Sequence, residues 1–207
     1  MLLDAVRELC ARDSDLDAIV ERYGPPPLWN RPNTFATLVH VVLEQQVSLA
    51  SAQAAFDRLV AATGRLTPAA FLALDDAELL RIGFSRQKAR YVRLLAREVD
   101  SGQLDLARLE SMEDDEVSER LLALTGIGPW TVSVYLLLVL LRPDVWPATD
   151  MALATALAEV KGLDRRPSSA ELGAMGEPWR PWRSVAARLF WHDYLSRRGQ
   201  KDSGPFE

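Results

Sequence analysis

Between Leu124 and Thr131 the chain reads Leu-Thr-Gly-Ile-Gly-Pro-Trp-Thr, and an apolar run then leads to Trp146, Pro147, Ala148, Thr149, Asp150 and Met151. Gly126 and Gly128 around Ile127 suit a tight hairpin, because glycine adopts positive φ at little steric cost. Pro129 sits where a proline opens a helix. The amides of such a hairpin and of the next helical turn point outward without intrahelical partners, which makes them a site for an anionic oxygen such as a phosphate. Asp150 lies 24 residues beyond Gly126. Taken alone, an aspartate before a helix reads as an N-cap, while Asp144, beside Arg142 and Pro143, has the composition of a turn.

Helix, Gly-Ile-Gly hairpin, second helix and a later aspartate together resemble the helix-hairpin-helix DNA glycosylase superfamily. Three more segments bring the resemblance to its 3-methyladenine DNA glycosylase II branch: Glu44-Gln45-Gln46-Val47-Ser48, Gly83 to Arg90 (Gly-Phe-Ser-Arg-Gln-Lys-Ala-Arg), and Trp179 to Ala186 (Trp-Arg-Pro-Trp-Arg-Ser-Val-Ala). Together they span roughly residues 28 to 195. The resemblance implies an all-α fold of two helical lobes with a cleft between them. One lobe would take about 34–128 and the other about 1–33 plus 129–198, with 199–207 as a flexible tail. Longer members of the family carry an N-terminal β domain, for which this sequence is too short and too helical.

In the family an aspartate at the spacing of Asp150 is catalytic. Breaking an N-glycosidic bond leaves positive charge on the deoxyribose, and one buried carboxylate can stabilise that charge and orient the attacking water. A preorganised contact of this kind is worth about 3 to 4 kcal/mol. Trp130 and Trp191 correspond to tryptophans that line the base pocket, although each also reads as a core aromatic. An indole face gains ~1 to 2 kcal/mol more from a cationic N3- or N7-alkylated purine than from the neutral base. Trp130 also stands where bifunctional relatives carry a lysine, so no Schiff-base nucleophile is evident and a monofunctional hydrolase is implied.

DNA contacts are implied at Gly126, Ile127, Gly128 and Thr131 of the hairpin and at Gln45, Gln46 and Ser48. Gln46 matches the place from which family members push a side chain into the DNA stack; Ser48 is also an ordinary N-cap. Arg86, Lys88 and Arg90 begin a helix after a second possible hairpin, Gly83-Phe84-Ser85, and suit either phosphate contact or a solvated face. Arg183 suits a phosphate or a carboxylate partner. The main-chain carbonyls of Leu122, Leu124 and Ile127 match those that hold a Na+ or K+ ion in the family; no other cofactor is implied.

The elements that would position these residues are helices. Periodic runs rich in Ala, Leu, Arg and Glu predict helices at about 2–11, 14–22, 34–46, 48–62, 68–73, 76–81, 86–100, 114–123, 129–141, 151–160, 168–174 and 179–197, with no strand. Pro25, Pro26 and Pro27 predict an extended path through Trp29 and Pro32. Pro143 and Pro147 interrupt helix before Asp150.

A chain of 207 residues with 48% hydrophobic residues can bury a substantial core. Cys10 is the single cysteine, which excludes an intramolecular disulfide and a four-cysteine iron–sulfur cluster. His40 and His192 are too few for a zinc site. The start has no apolar signal region, and the longest apolar run, Val132 to Leu141, is about half a membrane span. A soluble, cytoplasmic monomer is expected, nucleoid-associated if bacterial.

The net charge of −5 counts against nucleic-acid binding, which rests on local positive charge. Distribution weakens the objection. Arg81, Arg86, Lys88, Arg90, Arg93 and Arg97 fall in a window free of acid, and Arg180, Arg183, Arg188, Arg197, Arg198 and Lys201 have only Asp193 among them. Acid concentrates from Asp105 to Glu119, so a polarised surface is expected; the resemblance implies double-stranded DNA carrying alkylated bases as the partner. Two alternatives stay open: a helix-hairpin-helix module that grips DNA without catalysis, and a helical enzyme acting on a small molecule.

Overall fold

The computed structural model describes residues 1–199; the tail expected at 199–207 lies, apart from Gly199, outside them, as does Lys201. The regular elements among the described residues are all helices, with no strand. In chain order the helices are α1 (Leu2–Arg12), α2 (Ser14–Tyr23), α3 (Phe35–Glu44), α4 (Leu49–Thr63), α5 (Pro68–Leu72), α6 (Asp76–Ile82), α7 (Arg86–Asp100), α8 (Leu106–Leu109), α9 (Asp114–Leu122), α10 (Pro129–Leu138), α11 (Met151–Val160), α12 (Ser169–Met175) and, after a 3-10 turn at Glu177–Trp179, α13 (Arg183–Arg197). Side chains of Asp13, Thr34, Ser48, Thr67, Asp75, Ser85, Asp105, Asp150 and Ser168 accept amide hydrogens at the helix starts they precede. Each satisfies donors that a helix N-terminus leaves unpaired.

Several boundaries differ from those the periodicity predicts. The four-residue α8 is too short to show a helical repeat. The last helix starts at Arg183 rather than 179, because Pro181 has no amide to give and the chain before it forms the 3-10 turn. Helix α10 stops at Leu138, three residues before Leu141, which takes φ 55°; the Arg142 amide turns back to the Leu136 carbonyl at 2.9 Å. Trp29 adopts φ 45°, so the path there is not the extended one. No helix among the described residues is long and apolar enough to cross a membrane.

The chain divides into two compact units, one formed by Arg31–Tyr135 and the other by Met1–Asn30 together with the chain from Leu136 onward. The second junction falls inside α10, beyond the 128/129 boundary that the resemblance implies.

In the Arg31–Tyr135 unit, α3 is the central helix, buried along nearly its whole length and packed on α4 and α7. Phe71 stands between Phe35 and Phe84, with ring centroids 6.4 and 5.6 Å away; each such side chain contributes about 1.5 to 3 kcal/mol by leaving water. Tyr135 is fully buried here and its hydroxyl donates to Asn33 at 2.6 Å, which ties the first turns of α10 to this unit.

In the other unit α13 packs against α1, α2 and α11. Trp146, Trp179 and Phe190 form an aromatic cluster with Trp179 5.1 Å from each of the others. The Trp146 indole donates to the Leu172 carbonyl at 2.8 Å. Gly176 packs directly on that indole, leaving no room for a β-carbon.

Candidate functional site

Asp150 is both the cap and the buried carboxylate. It stands 7% exposed at the start of α11, and its Oδ1 accepts from the Leu153 amide at 2.6 Å and from the Trp191 indole at 3.2 Å. The loop that delivers it is held by α13: the Ser184 hydroxyl donates to the Arg142 carbonyl at 2.6 Å and accepts from the Val145 amide at 2.9 Å. The Asp150 amide closes a turn on the Pro147 carbonyl at 2.9 Å. Trp191, 2% exposed, is therefore a core aromatic that also touches the carboxylate. Asp144 is a turn residue, as its neighbours indicate, and engages Arg180 and Arg183.

The hairpin belongs to the Arg31–Tyr135 unit. Gly126 takes φ 93°, and a β-carbon there would collide with the Tyr91 side chain; both facts demand glycine. Gly128 is different, since it has no positive φ and a β-carbon would meet nothing within 4 Å. The expectation that both glycines serve backbone conformation is thus corrected for Gly128, whose bareness only keeps the surface open.

Two of the hairpin's expected DNA contacts turn inward. The Ile127 amide bonds the Leu124 carbonyl at 3.1 Å and the residue is 7% exposed. Thr131 is 1% exposed, with its hydroxyl 2.9 Å from the Gln45 amide nitrogen. Gln45 donates also to the Gly126 carbonyl at 2.9 Å, so it clamps the hairpin rather than facing outward. Trp130, at the start of α10, is half-buried.

The turn between α3 and α4 carries Gln46 at φ 58°, exposed, beside Val47, which is 47% exposed. A non-glycine residue in the left-handed region costs about 1 to 2 kcal/mol and marks a conformation imposed by its surroundings. Ser48 caps α4, its hydroxyl 3.3 Å from the Ser51 amide. Below the turn lies a buried pair absent from the sequence reading: Arg31, 6% exposed, holds the Glu44 carboxylate with bonds of 2.5 and 3.3 Å. Burial pushes the Glu44 carboxyl up to about 7, against the lowering pull of Arg31 and Lys88. Burial and the Arg31 charge push His40 down to about 4, so it is neutral near pH 7. The only sequence signal for this pair was an acid closing an otherwise apolar helix, Phe-Ala-Thr-Leu-Val-His-Val-Val-Leu-Glu at Phe35–Glu44.

The two basic clusters divide sharply. Toward the C-terminus every described arginine is engaged: Arg180 and Arg183 with Asp144 and Glu177, Arg197 with Glu159 and Asp193, and Arg198 with Glu159. Arg188, 3% exposed, donates to the carbonyls of Leu28 and Leu137, and burial lowers its pKa to about 10. Asp144, Glu159 and the Leu28 and Leu137 carbonyls lie far from this stretch in sequence, and Glu177 stands just before it, which is why the stretch looked like a free cationic patch. Of the two readings of Arg183, the structure gives the carboxylate partner.

The window on α6 and α7 keeps more open charge. Arg93 pairs with Asp76 at 2.8 Å, but Arg86, Arg90 and Arg97 are exposed and have no carboxylate partner among the described residues. Lys88 points elsewhere: its ammonium donates to the carbonyls of Leu43 and Gln45 at 2.6 and 2.8 Å. Burial lowers its pKa, while Glu44 works against that shift. Gly83 at φ 113° ends α6 and Ser85 caps α7, so the second glycine turn is formed.

The structure therefore brings Asp150 to Trp191 in one unit, and Gln45, Lys88, Gly126 and Thr131 together in the other. At the cation candidates, the Leu124 carbonyl already accepts from Ile127, and a carbonyl oxygen keeps a second lone pair for an ion.

Residues 39–181 match the HhH-GPD superfamily base excision DNA repair protein family, and the chain belongs to it. The Bacillus subtilis protein YfjP is 30% identical over 186 residues, which cover 86% of this chain and 65% of that protein. The chain thus spans about two-thirds of the length of that relative. The alkylbase DNA glycosidase-like protein mag2 of Schizosaccharomyces pombe is 26% identical over 204 residues, covering 95% of this chain and 96% of its own. Among solved structures, Schizosaccharomyces pombe 3-methyladenine DNA glycosylase Mag1 in complex with abasic DNA is similar with a TM-score of 0.85 at 26% identity, covering 91% of this chain and 95% of that one.

Proposed function

We propose that this chain is a monofunctional DNA glycosylase that turns an alkylated purine, 3-methyladenine or 7-methylguanine, out of duplex DNA and hydrolyses its N-glycosidic bond. The observation that carries the reading is Asp150: a residue 7% exposed, with one carboxylate oxygen fixed by an amide and an indole, in a chain of a base-excision-repair family.

As the bond from the base nitrogen to the sugar C1′ breaks, its electron pair leaves with the base and positive charge develops on the deoxyribose. The fixed carboxylate stabilises that charge and orients a water, whose oxygen bonds to C1′ and whose proton the carboxylate takes. The products are a free base and an abasic site. An alkylated purine is cationic and leaves readily, so selectivity comes from lability as much as from pocket contacts. Extruding the base costs a few kcal/mol, less for a weakened pair.

Hydrolysis without strand cleavage is supported by the engagement of the described lysines. Lys161 is salt-bridged to Asp13 and Asp15, which outweigh burial and raise its pKa, the wrong direction for an amine nucleophile. The carbonyls of Leu122, Leu124 and Ile127 would hold a Na+ or K+ ion, which would add positive charge beside a phosphate at the hairpin.

The test is incubation with methylated duplex DNA and chromatography of the released bases, with Asp150→Asn as control. Free 3-methyladenine from wild type alone is the expected result. Wild type that binds the duplex and releases no base overturns the reading.

A further inference from the structure

We propose that Lys88 is a positioning residue for lesion extrusion: by holding the carbonyls of Leu43 and Gln45 it fixes the α3–α4 turn in the shape that presents Gln46 to the duplex. The proposal rests on the glycosylase reading above and assigns to Lys88 a role other than the phosphate contact expected from its place at a cationic helix start.

The argument begins with the carbonyls at the end of α3, which a helix C-terminus leaves without intrahelical donors. Those of Val42 and Glu44 are satisfied by the amides of Gln45 and Val47 at 3.3 and 3.5 Å. Those of Leu43 and Gln45 receive the Lys88 ammonium instead, at 2.6 and 2.8 Å. A cation is favoured at this end of a helix, and here it closes the account at the residues flanking the turn.

Gln46 is the residue that needs the closure. It sits at φ 58°, where helix ends usually place glycine or asparagine, and nothing in a glutamine favours that backbone. The turn is therefore held from its two sides. On one, Lys88 grips the Gln45 carbonyl; on the other, the Gln45 side chain grips the Gly126 carbonyl and the Thr131 hydroxyl of the hairpin. Lys88 is itself placed by the Ser85 hydroxyl, which caps its amide at 3.1 Å. Hairpin, turn and α7 thus form one hydrogen-bonded frame within the Arg31–Tyr135 unit, with exposed Gln46 and Val47 at its tip.

Full-length Lys88→Met and Lys88→Arg proteins test this. Single-turnover release of 7-methylguanine is measured from a duplex with the lesion opposite cytosine and from the same oligonucleotide single-stranded. Binding to an abasic-site duplex is titrated across salt. The Met variant should lose about tenfold on the paired lesion and less than about twofold on the unpaired strand, which needs no extrusion. Its salt slope should match wild type, and Arg should restore most of the loss. In duplex binding, Lys88→Met and Gln46→Ala should not add.

Equal losses on both substrates would reduce Lys88 to a structural residue. A salt slope lower by about one unit would make it a phosphate ligand, and additive losses would uncouple it from Gln46. The binding arm needs no catalysis, so it decides the role of Lys88 even if wild type releases no base, an outcome that sinks the glycosylase reading alone.

Discussion

The Trp191 indole nitrogen donates to Asp150 Oδ1 at 3.2 Å, on the same oxygen that caps the Leu153 amide at 2.6 Å. One donor is local and follows from an aspartate placed before a helix; the other comes from α13, 41 residues away. Together they hold that oxygen from two directions, which suits the electrostatic role proposed for Asp150, since an anion that must reorient gives up part of its stabilising effect.

Asp150→Asn keeps a competent cap and an oxygen for the indole but removes the charge. Base release should fall by about 100-fold or more, with the melting midpoint nearly unchanged; single-turnover release and thermal unfolding check both. Trp191→Phe deletes only the donor and part of a ring, and should lower release about tenfold. Full activity in Asp150→Asn would remove Asp150 from the mechanism, and full activity in Trp191→Phe would show that the Leu153 amide holds the carboxylate without the indole.

Gly126→Ala and Gly128→Ala should behave differently although the residues are two apart. At Gly126 the left-handed backbone and the Tyr91 ring both oppose a side chain, so alanine should cost about 2 kcal/mol or more in urea unfolding. At Gly128 stability should hold, while affinity for duplex DNA falls because a methyl group stands on the surface a phosphate would approach. Equal stability loss at both sites would contradict the geometry.

Charge removal should separate the two basic clusters. Arg86→Gln with Arg90→Gln should weaken duplex binding about fivefold near 100 mM salt and flatten its salt dependence. Arg183→Gln should leave both unchanged and lower the melting midpoint, because its guanidinium bonds Asp144 and Glu177. Fluorescence anisotropy across a salt series distinguishes these outcomes.

Acid should destabilise the fold through Asp13. Burial alone would raise its pKa, but the Lys161 ammonium and the Trp179 indole outweigh it and hold the carboxyl below its ordinary 3.8. A depressed folded pKa means the stabilisation is present above about pH 3.8 and is lost as pH falls through the folded value. Asp13→Asn should therefore lower the urea midpoint at pH 6 and narrow its gap to wild type on acidification. A gap that widens toward low pH would reverse the sign and refute the assignment.

Local chemistry was enough to locate most helices, the cap at Asp150, the glycine hairpin and the second turn at Gly83, because caps, glycines and prolines act on the residues beside them. The four spaced segments carried the family, whose match over 39–181 agrees. What the sequence by itself did not determine was where each charge and polar side chain goes. Lys88 and Arg86 share a helix start, yet one grips carbonyls of α3 and the other stays exposed. The arginines from Arg180 to Arg198 look unpaired only until Asp144 and Glu159 arrive from elsewhere in the chain and Glu177 closes in from just before the stretch. Gln45 and Gln46 are neighbours of one type, and tertiary packing turns one into the hairpin and leaves the other at the tip. Helix formation depends on contacts a few residues apart and is readable in one dimension, whereas electrostatic pairing depends on distances of a few ångströms that exist only once the chain has folded.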